Sequence, residues 1–192
     1  MISNIQPQQS QKLHPHKFLM WVSIGSICMM FAGLTSAYIV KKSQDNVINV
    51  SLPTIFWIST AVILTSSVTM HLAVKSIKAR EMKRYRVLLG LTALLGIIFA
   101  VLQLYGFKGM QSEGIKFVGR NSNPGASFLV VIIGLHALHI LGGVIALIVM
   151  YSKIYFSKIR NYSTTPVEVM ATYWHFVDIL WIYLLFFLMY LR

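Results

Sequence analysis

Several polar side chains sit where a chain this apolar has little room for them. Glu168, His175 and Asp178 lie in the last apolar run, which extends from Val167 to Arg192. His136 and His139 lie in the run before it, and His71 and Gln103 in two earlier ones. An ionisable group at membrane depth is expensive, so it faces a bundle interior or a bound polar partner. At about 100° per residue, Glu168 and His175 fall two turns apart on one helix face, with Asp178 less than a quarter-turn away. Trp174 and Trp181, also seven residues apart, border that stripe. Carboxylates beside an imidazole have two uses here. They can pass protons, or they can fasten the helix to another helix or a polar ligand.

The paired histidines raise a second chemistry. His136 and His139 are three residues apart and share a helix face, so a metal or a heme must be considered. Metal centres want three or four clustered ligands, and the single cysteine, Cys28, supplies no thiolate set. His139, Gly142, Gly143 and Ala146 share one stripe, the form of a close helix crossing with a hydrogen-bonding histidine. Packing, lipid contact and metal binding all stay open for the pair. His71 is read as an interfacial or helix-contact histidine, with a headgroup ligand as the sharper alternative. No Ser-His-Asp arrangement, paired-carboxylate site, Gly-rich phosphate loop or His-Glu-x-x-His signature is present. Five acidic residues in 192 leave little material for acid–base catalysis. The polypeptide is expected to have no catalytic site of its own.

The elements that hold these residues follow from composition. A chain 56% hydrophobic and 11% charged is no ordinary soluble domain, in which about a quarter of residues are charged. Five apolar runs bounded by charges read as spans, approximately Lys17–Val40, Leu52–Val74, Val87–Phe107, Ser127–Tyr151 and Val167–Leu191. Each is about 20 residues or longer, enough to cross the hydrocarbon as a helix. The fold class is therefore all-α, a bundle of five transmembrane helices over residues 17–192, with residues 1–16 as a flexible N-terminal tail. Met1 to Lys12 lack the apolar core of a signal peptide, and Pro15 marks a helix entry. No internal or inverted repeat suggests a transporter. In the first span, Gly25, Cys28, Ala32 and Ser36 form a small-residue stripe, read as a packing seam.

The net charge of +12 would suggest nucleic acid in a soluble protein. Here the cations cluster between apolar runs, no nucleic-acid motif appears, and the phosphate partners are lipid headgroups. Eleven of the 17 basic residues fall on one side: Lys12, Lys17, Lys75, Lys78, Arg80, Lys83, Arg84, Arg86, Lys153, Lys158 and Arg160. The remaining six fall on the other. The positive-inside bias makes the first side cytoplasmic, with the N-terminus in and the C-terminus out.

The wording of the last span is specific. Glu168-Val-Met-Ala-Thr-Tyr-Trp174-His175-Phe176-Val177-Asp178-Ile-Leu-Trp181 resembles the last helix of subunit III of heme-copper terminal oxidases. Ser26-Ile-Cys-Met-Met-Phe31, Ser66-Ser67-Val68-Thr69, Leu94-Leu95-Gly96 through Gln103, and Gly134-Leu-His136-Ala-Leu-His139 resemble earlier helices of that family, in order. Three positions depart from its pattern. Ile27 stands where the family carries an intramembrane glutamate, Val74 and Lys75 where it carries tandem histidines, and Gly106 where a glutamate often follows the glutamine. The resemblance matches the five-helix bacterial form, read here as the cytochrome c-oxidising type, although the cofactor sites that separate it from quinol-oxidising members lie in other subunits.

It implies a structural subunit of the inner membrane with no redox cofactor, the hemes and copper residing in partner subunits. Such a subunit packs against the catalytic subunit I, holds structural phospholipids and supports proton uptake. The complex as a whole reduces oxygen to water and pumps protons. Lipid or interhelical polar contacts are expected at His71, Arg80, Gln103, His136, His139, Glu168, Trp174, His175, Asp178 and Trp181. His139 and Gln103 are candidate partners for His175 and Asp178. Alternatives are a quinol oxidase subunit, a nitric oxide reductase-associated homologue, and a heme-binding membrane cytochrome using His71, His136, His139 and His175.

Overall fold

Prolines open the helices in the way their chemistry allows. Pro15 is the first residue of α1 (Pro15–Gln44), Pro124 the first of α4 (Pro124–Phe156), and Pro166 the second of α5 (Thr165–Tyr190). At the first turn a missing N–H costs nothing, because no carbonyl there awaits it. Between α1 and α4 lie α2 (Ile55–Lys78) and α3 (Met82–Ser112). The computed structural model describes residues 15–44, 54–112, 124–156 and 164–190. The tail expected at residues 1–16 lies outside the described residues as far as residue 14, and residues 15 and 16 already belong to α1.

All five helices are long and apolar enough to cross a membrane. Helices suit that environment because they satisfy every interior backbone group within the segment. Each extends beyond at least one end of the apolar run that announces it, and the expected ends at Leu52 and Leu191 lie outside the described residues. The charged ends Lys41, Lys78, Lys83 and Lys153 are all helical, because a helix need not stop where hydrocarbon stops.

The α2–α3 connection is the tightest described. The Glu81 N–H donates to the Ser76 carbonyl at 3.0 Å and the Arg80 N–H to the Ile77 carbonyl at 3.1 Å. That pair of bonds is the Schellman end, whose special position takes left-handed backbone. Arg80 occupies it with φ of 61° where glycine would be usual. The short turn sends α3 back along α2, and these two helices make the most extensive contact in the bundle.

The remaining contacts give the arrangement. α3 also packs on α4, α4 on α1 and α5, and α5 on α1 and α2, while among the described residues α1 and α2 make no such contact. α5 is the most deeply buried helix and α1 the least. Outward faces carry large apolar side chains such as Phe18, Trp21, Met29, Trp57, Leu104 and Phe186, as a lipid-facing surface requires.

The small-residue seam expected on α1 is not used within this chain. Cys28, Ala32 and Ser36 are exposed, and a side chain added at Gly25 would meet nothing within 4 Å. The buried row of α1 is Ile24, Phe31, Thr35 and Tyr38, roughly a quarter-turn away. Bulky residues win that face because Phe31 fits edge-on against both His136 and His139, at 6.5 and 6.0 Å between ring centroids.

Candidate functional site: the polar seam between α2 and α5

Side-chain hydrogen bonds join α2 to α5 at three levels within the apolar stretch. Trp174 Nε1 donates to Ser66 Oγ at 3.1 Å, and Trp181 Nε1 donates to Thr60 Oγ1 at 3.0 Å. His175 Nδ1 and Ser67 Oγ are 2.6 Å apart. The register follows from antiparallel helices, since seven residues along α5 and six along α2 both climb about 10 Å. Thr69 Oγ1 carries the row onward to Thr92 Oγ1 on α3, at 2.9 Å. The run Ser66-Ser67-Val68-Thr69 thus supplies hydroxyls to two neighbouring helices. Only its wording was legible beforehand; its partners were not, because serine and threonine in a helix can equally bond their own backbone.

Trp174 is held on two further sides by glycines. A Cβ built on Gly96 of α3 would lie 2.8 Å from Trp174 Cη2, and one on Gly143 of α4 would lie 3.0 Å from Trp174 Cζ3. The close crossing expected along α4 is therefore real at Gly143. Gly142 faces open space. Trp181, one layer along, is fully buried among Phe56, Phe99 and His136.

His136 stacks on Trp181 with centroids 5.4 Å apart and planes 22° apart, and meets Phe31 and Phe99 edge-on. Neither of its ring nitrogens has a hydrogen-bond partner among the described residues. His139 Nδ1 donates to the Leu135 carbonyl at 2.7 Å, and the His139 carbonyl accepts from the Tyr173 hydroxyl at 2.8 Å. Gln103 Nε2 reaches Ser59 Oγ at 3.3 Å, leaving its Oε1 unpaired. The pairing of His175 and Asp178 with His139 and Gln103 is thus not what forms. α4 and α3 use those two residues elsewhere, and His175 turns instead to Ser67 and to His71, whose ring lies 6.4 Å away.

Asp178 is 3% exposed, and both carboxyl oxygens lack a hydrogen-bond partner among the described residues.

At the end where α1 and α5 begin and α2 finishes, Glu168 takes two cations. Its Oε2 lies 2.9 Å from Lys17 Nζ, and its Oε1 lies 3.0 Å from Lys78 Nζ. One carboxylate thereby ties α1, α2 and α5 together. A cleft of about 220 Å³ opens beside it, lined by Lys17, Met20, Trp21, Glu168, Val169 and Thr172. A second hollow of about 210 Å³ lies by the α2–α3 turn, where Lys75, Arg84 and Glu81 border Leu72 and Leu88. Arg80 is exposed beside it, as is His71 one turn before Lys75. Among the described residues no three His, Cys, Asp or Glu side chains gather as a metal centre would need.

A five-helix span with this motif order has known counterparts. The family model described as Cytochrome c oxidase subunit III matches residues 18–192. The chain belongs to the cytochrome c oxidase subunit III family. It is 29% identical to cytochrome c oxidase subunit 3 of Bacillus sp. (strain PS3), covering 88% of this chain and 83% of that protein. It is 31% identical to cytochrome c oxidase subunit 3 of Corynebacterium diphtheriae, covering 84% and 83% respectively. The cytochrome bo(3) ubiquinol oxidase subunit 3 of Buchnera aphidicola is 29% identical over 85% of each chain. Two of the three departures from the subunit III pattern have local packing explanations here. Gly106 admits the Phe56 ring, 2.9 Å from where a Cβ would sit, and Ile27 packs against the core.

Proposed function

We propose that this chain is a non-catalytic subunit of a bacterial heme-copper terminal oxidase, packed beside the catalytic subunit that holds the hemes and copper. The observation that carries this reading is the seam itself. The motif residues Trp174, His175 and Trp181 are engaged with Ser66, Ser67 and Thr60 of the neighbouring helix. They act as the framework of a bundle that must keep one shape against a partner. Its roles are to stabilise the catalytic subunit, to bind phospholipid and to support proton uptake on the basic side.

For lipid, the supporting features are the two hollows at the basic end. Each places basic side chains beside apolar ones, Lys75 and Arg84 beside Leu72 and Leu88, and Lys17 beside Met20 and Trp21. Juxtamembrane lysines and arginines attract anionic headgroups at about 1 kcal/mol each. The same end is assigned to the cytoplasm by its basic residues. The Buchnera relative favours a second reading, a quinol-oxidising complex, in which this subunit's framework role is the same.

Affinity purification through a tag on this chain tests the assignment. Heme-containing oxidase subunits should accompany it, with redox-active heme and copper in those subunits. Recovery of the chain alone from intact membranes, or of a stoichiometric heme on the separated polypeptide, would overturn it. Native mass spectrometry of the complex should show anionic phospholipid that is lost in a Lys17→Gln, Lys78→Gln double variant. Equal retention would remove the lipid site.

A further inference from the structure

His71 of α2 and His175 of α5 meet across neighbouring helices, with ring centroids 6.4 Å apart and planes 50° apart. Neither ring is sealed in the core, since His71 is exposed and His175 half-buried. No hydrogen bond holds the His71 ring among the described residues. His175 is anchored through one nitrogen, its Nδ1 lying 2.6 Å from Ser67 Oγ. When Nδ1 carries the hydrogen and donates it to Ser67, Nε2 keeps its lone pair for a further partner. Metal-ligating histidines are built this way, with the second ring N–H fixed by a hydrogen-bonding neighbour.

We infer that His71 and His175 form an exchangeable two-imidazole site for a divalent transition-metal cation of the zinc or copper class, clasping α2 to α5. Imidazole nitrogen suits those ions, whereas magnesium and calcium take oxygen ligands. The inference goes beyond the framework role, and it needs no redox chemistry from this chain.

The spacing suits a single ion. A metal about 2.0–2.1 Å from each nitrogen puts two ring centres about 5 to 6 Å apart, depending on the ligand angle. The exposed His71 ring therefore has to close by only about 1 Å. Two protein ligands leave coordination positions for water, so the ion can load and unload, whereas a permanent centre takes three or four ligands. Water has access because His71 is exposed and lies one turn from Lys75 at the basic end. Lys75 is the nearest cation along α2, and it borders the hollow shared with Glu81 and Arg84 of the α2–α3 turn, where a carboxylate offsets it.

Equilibrium dialysis of the purified membrane complex against radioactive Zn2+ tests the site. His71→Leu, a change at an exposed position, should bind one ion fewer per complex than the wild type. Ser67→Ala removes the anchor of His175 and should weaken the same ion about tenfold. Thr65→Val is the control, since the exposed Thr65 hydroxyl bonds the Ala61 carbonyl, and it should leave binding unchanged. A second measurement reads the ligands directly. In a Cys28→Ser background, His71→Cys exchanges an imidazole for a thiolate, and added Co2+ should give a thiolate-to-cobalt charge-transfer band. Adding His175→Phe should abolish that band. The cobalt signal is read on its own and does not depend on how His71→Leu assembles. Equal zinc in wild type and His71→Leu would place all binding at other groups and overturn the inference. So would absence of the cobalt band in His71→Cys, or its full survival in the variant that also carries His175→Phe.

Discussion

Adding one methyl group at Gly96 tests the account of how this bundle is held together. Gly96→Ala places a Cβ 2.8 Å from Trp174 Cη2, 3.0 Å from Trp174 Cζ2 and 3.0 Å from Val144 Cγ2. Real Cβ contacts are not that short, so something must move. The indole cannot retreat toward α4, because Gly143 already brings that backbone against its far edge. It cannot rotate freely, because Nε1 is bonded to Ser66. Overpacking of this kind costs about 1–3 kcal/mol. Loss of the indole bond adds about 0.6 kcal/mol in a bilayer. Against this stands the better helix propensity of alanine, about 0.8–1.0 kcal/mol. The steric effect wins, and the net destabilisation is about 1–2 kcal/mol.

Gly142→Ala is the matched control. It lies one residue from the Trp174 contact but faces open space, so only the propensity gain applies, up to about 1 kcal/mol. Unfolding followed by tryptophan fluorescence in mixed micelles should move in opposite directions for the two variants. Trp174→Phe, which leaves room for the methyl, should recover part of the loss when combined with Gly96→Ala. Equal stability of Gly96→Ala and Gly142→Ala would refute the clamp.

Three other outcomes follow from single residues. His136→Phe removes a fully buried ring whose nitrogens are unpaired while keeping the stack on Trp181. It should be neutral or stabilising by about 1 kcal/mol, and a clear drop in thermal midpoint would show that the nitrogens have partners in the complex. Arg80→Gly relieves a left-handed backbone worth about 1–2 kcal/mol, less the entropy glycine adds to the unfolded chain; a gain of about 0.5–1 kcal/mol in the same unfolding assay is expected. In a Cys28→Ser background, Lys83→Cys should resist an impermeant thiol reagent in intact cells and react after permeabilisation. Ready labelling would reverse the orientation drawn from the basic residues.

The five helices were legible because hydropathy and length suffice for that decision. The order of the motifs identified the family, since rare polar residues in apolar helices are costly and their spacing carries information. What the sequence concealed was pairing. Nothing local tells His175 to choose Ser67 over His139, because both lie on helices of suitable depth. That choice depends on which helices are neighbours. Small residues misled in the same way. Gly96 and Gly143 receive Trp174, whereas Gly25, Cys28, Ala32 and Ser36, whose spacing looks equally suited to packing, face outward.

The motif of the last helix therefore has two layers of meaning. Trp174 and Trp181 are spaced to fill two successive levels of the bundle, each donating to a hydroxyl on α2. That arrangement determines where the residues between them point. Between the two anchored indoles along α5, Asp178 is buried and His175 meets Ser67. Glu168 then fixes the helix along its axis by gripping Lys17 and Lys78 at the basic end. A carboxyl held in an apolar interface by neighbours that are themselves fixed is positioned by the whole seam. Changing Ser66 or Thr60, which never touch Asp178 by hydrogen bond, should therefore disturb its surroundings through the tryptophans, an effect that spacing along α5 alone would never reveal.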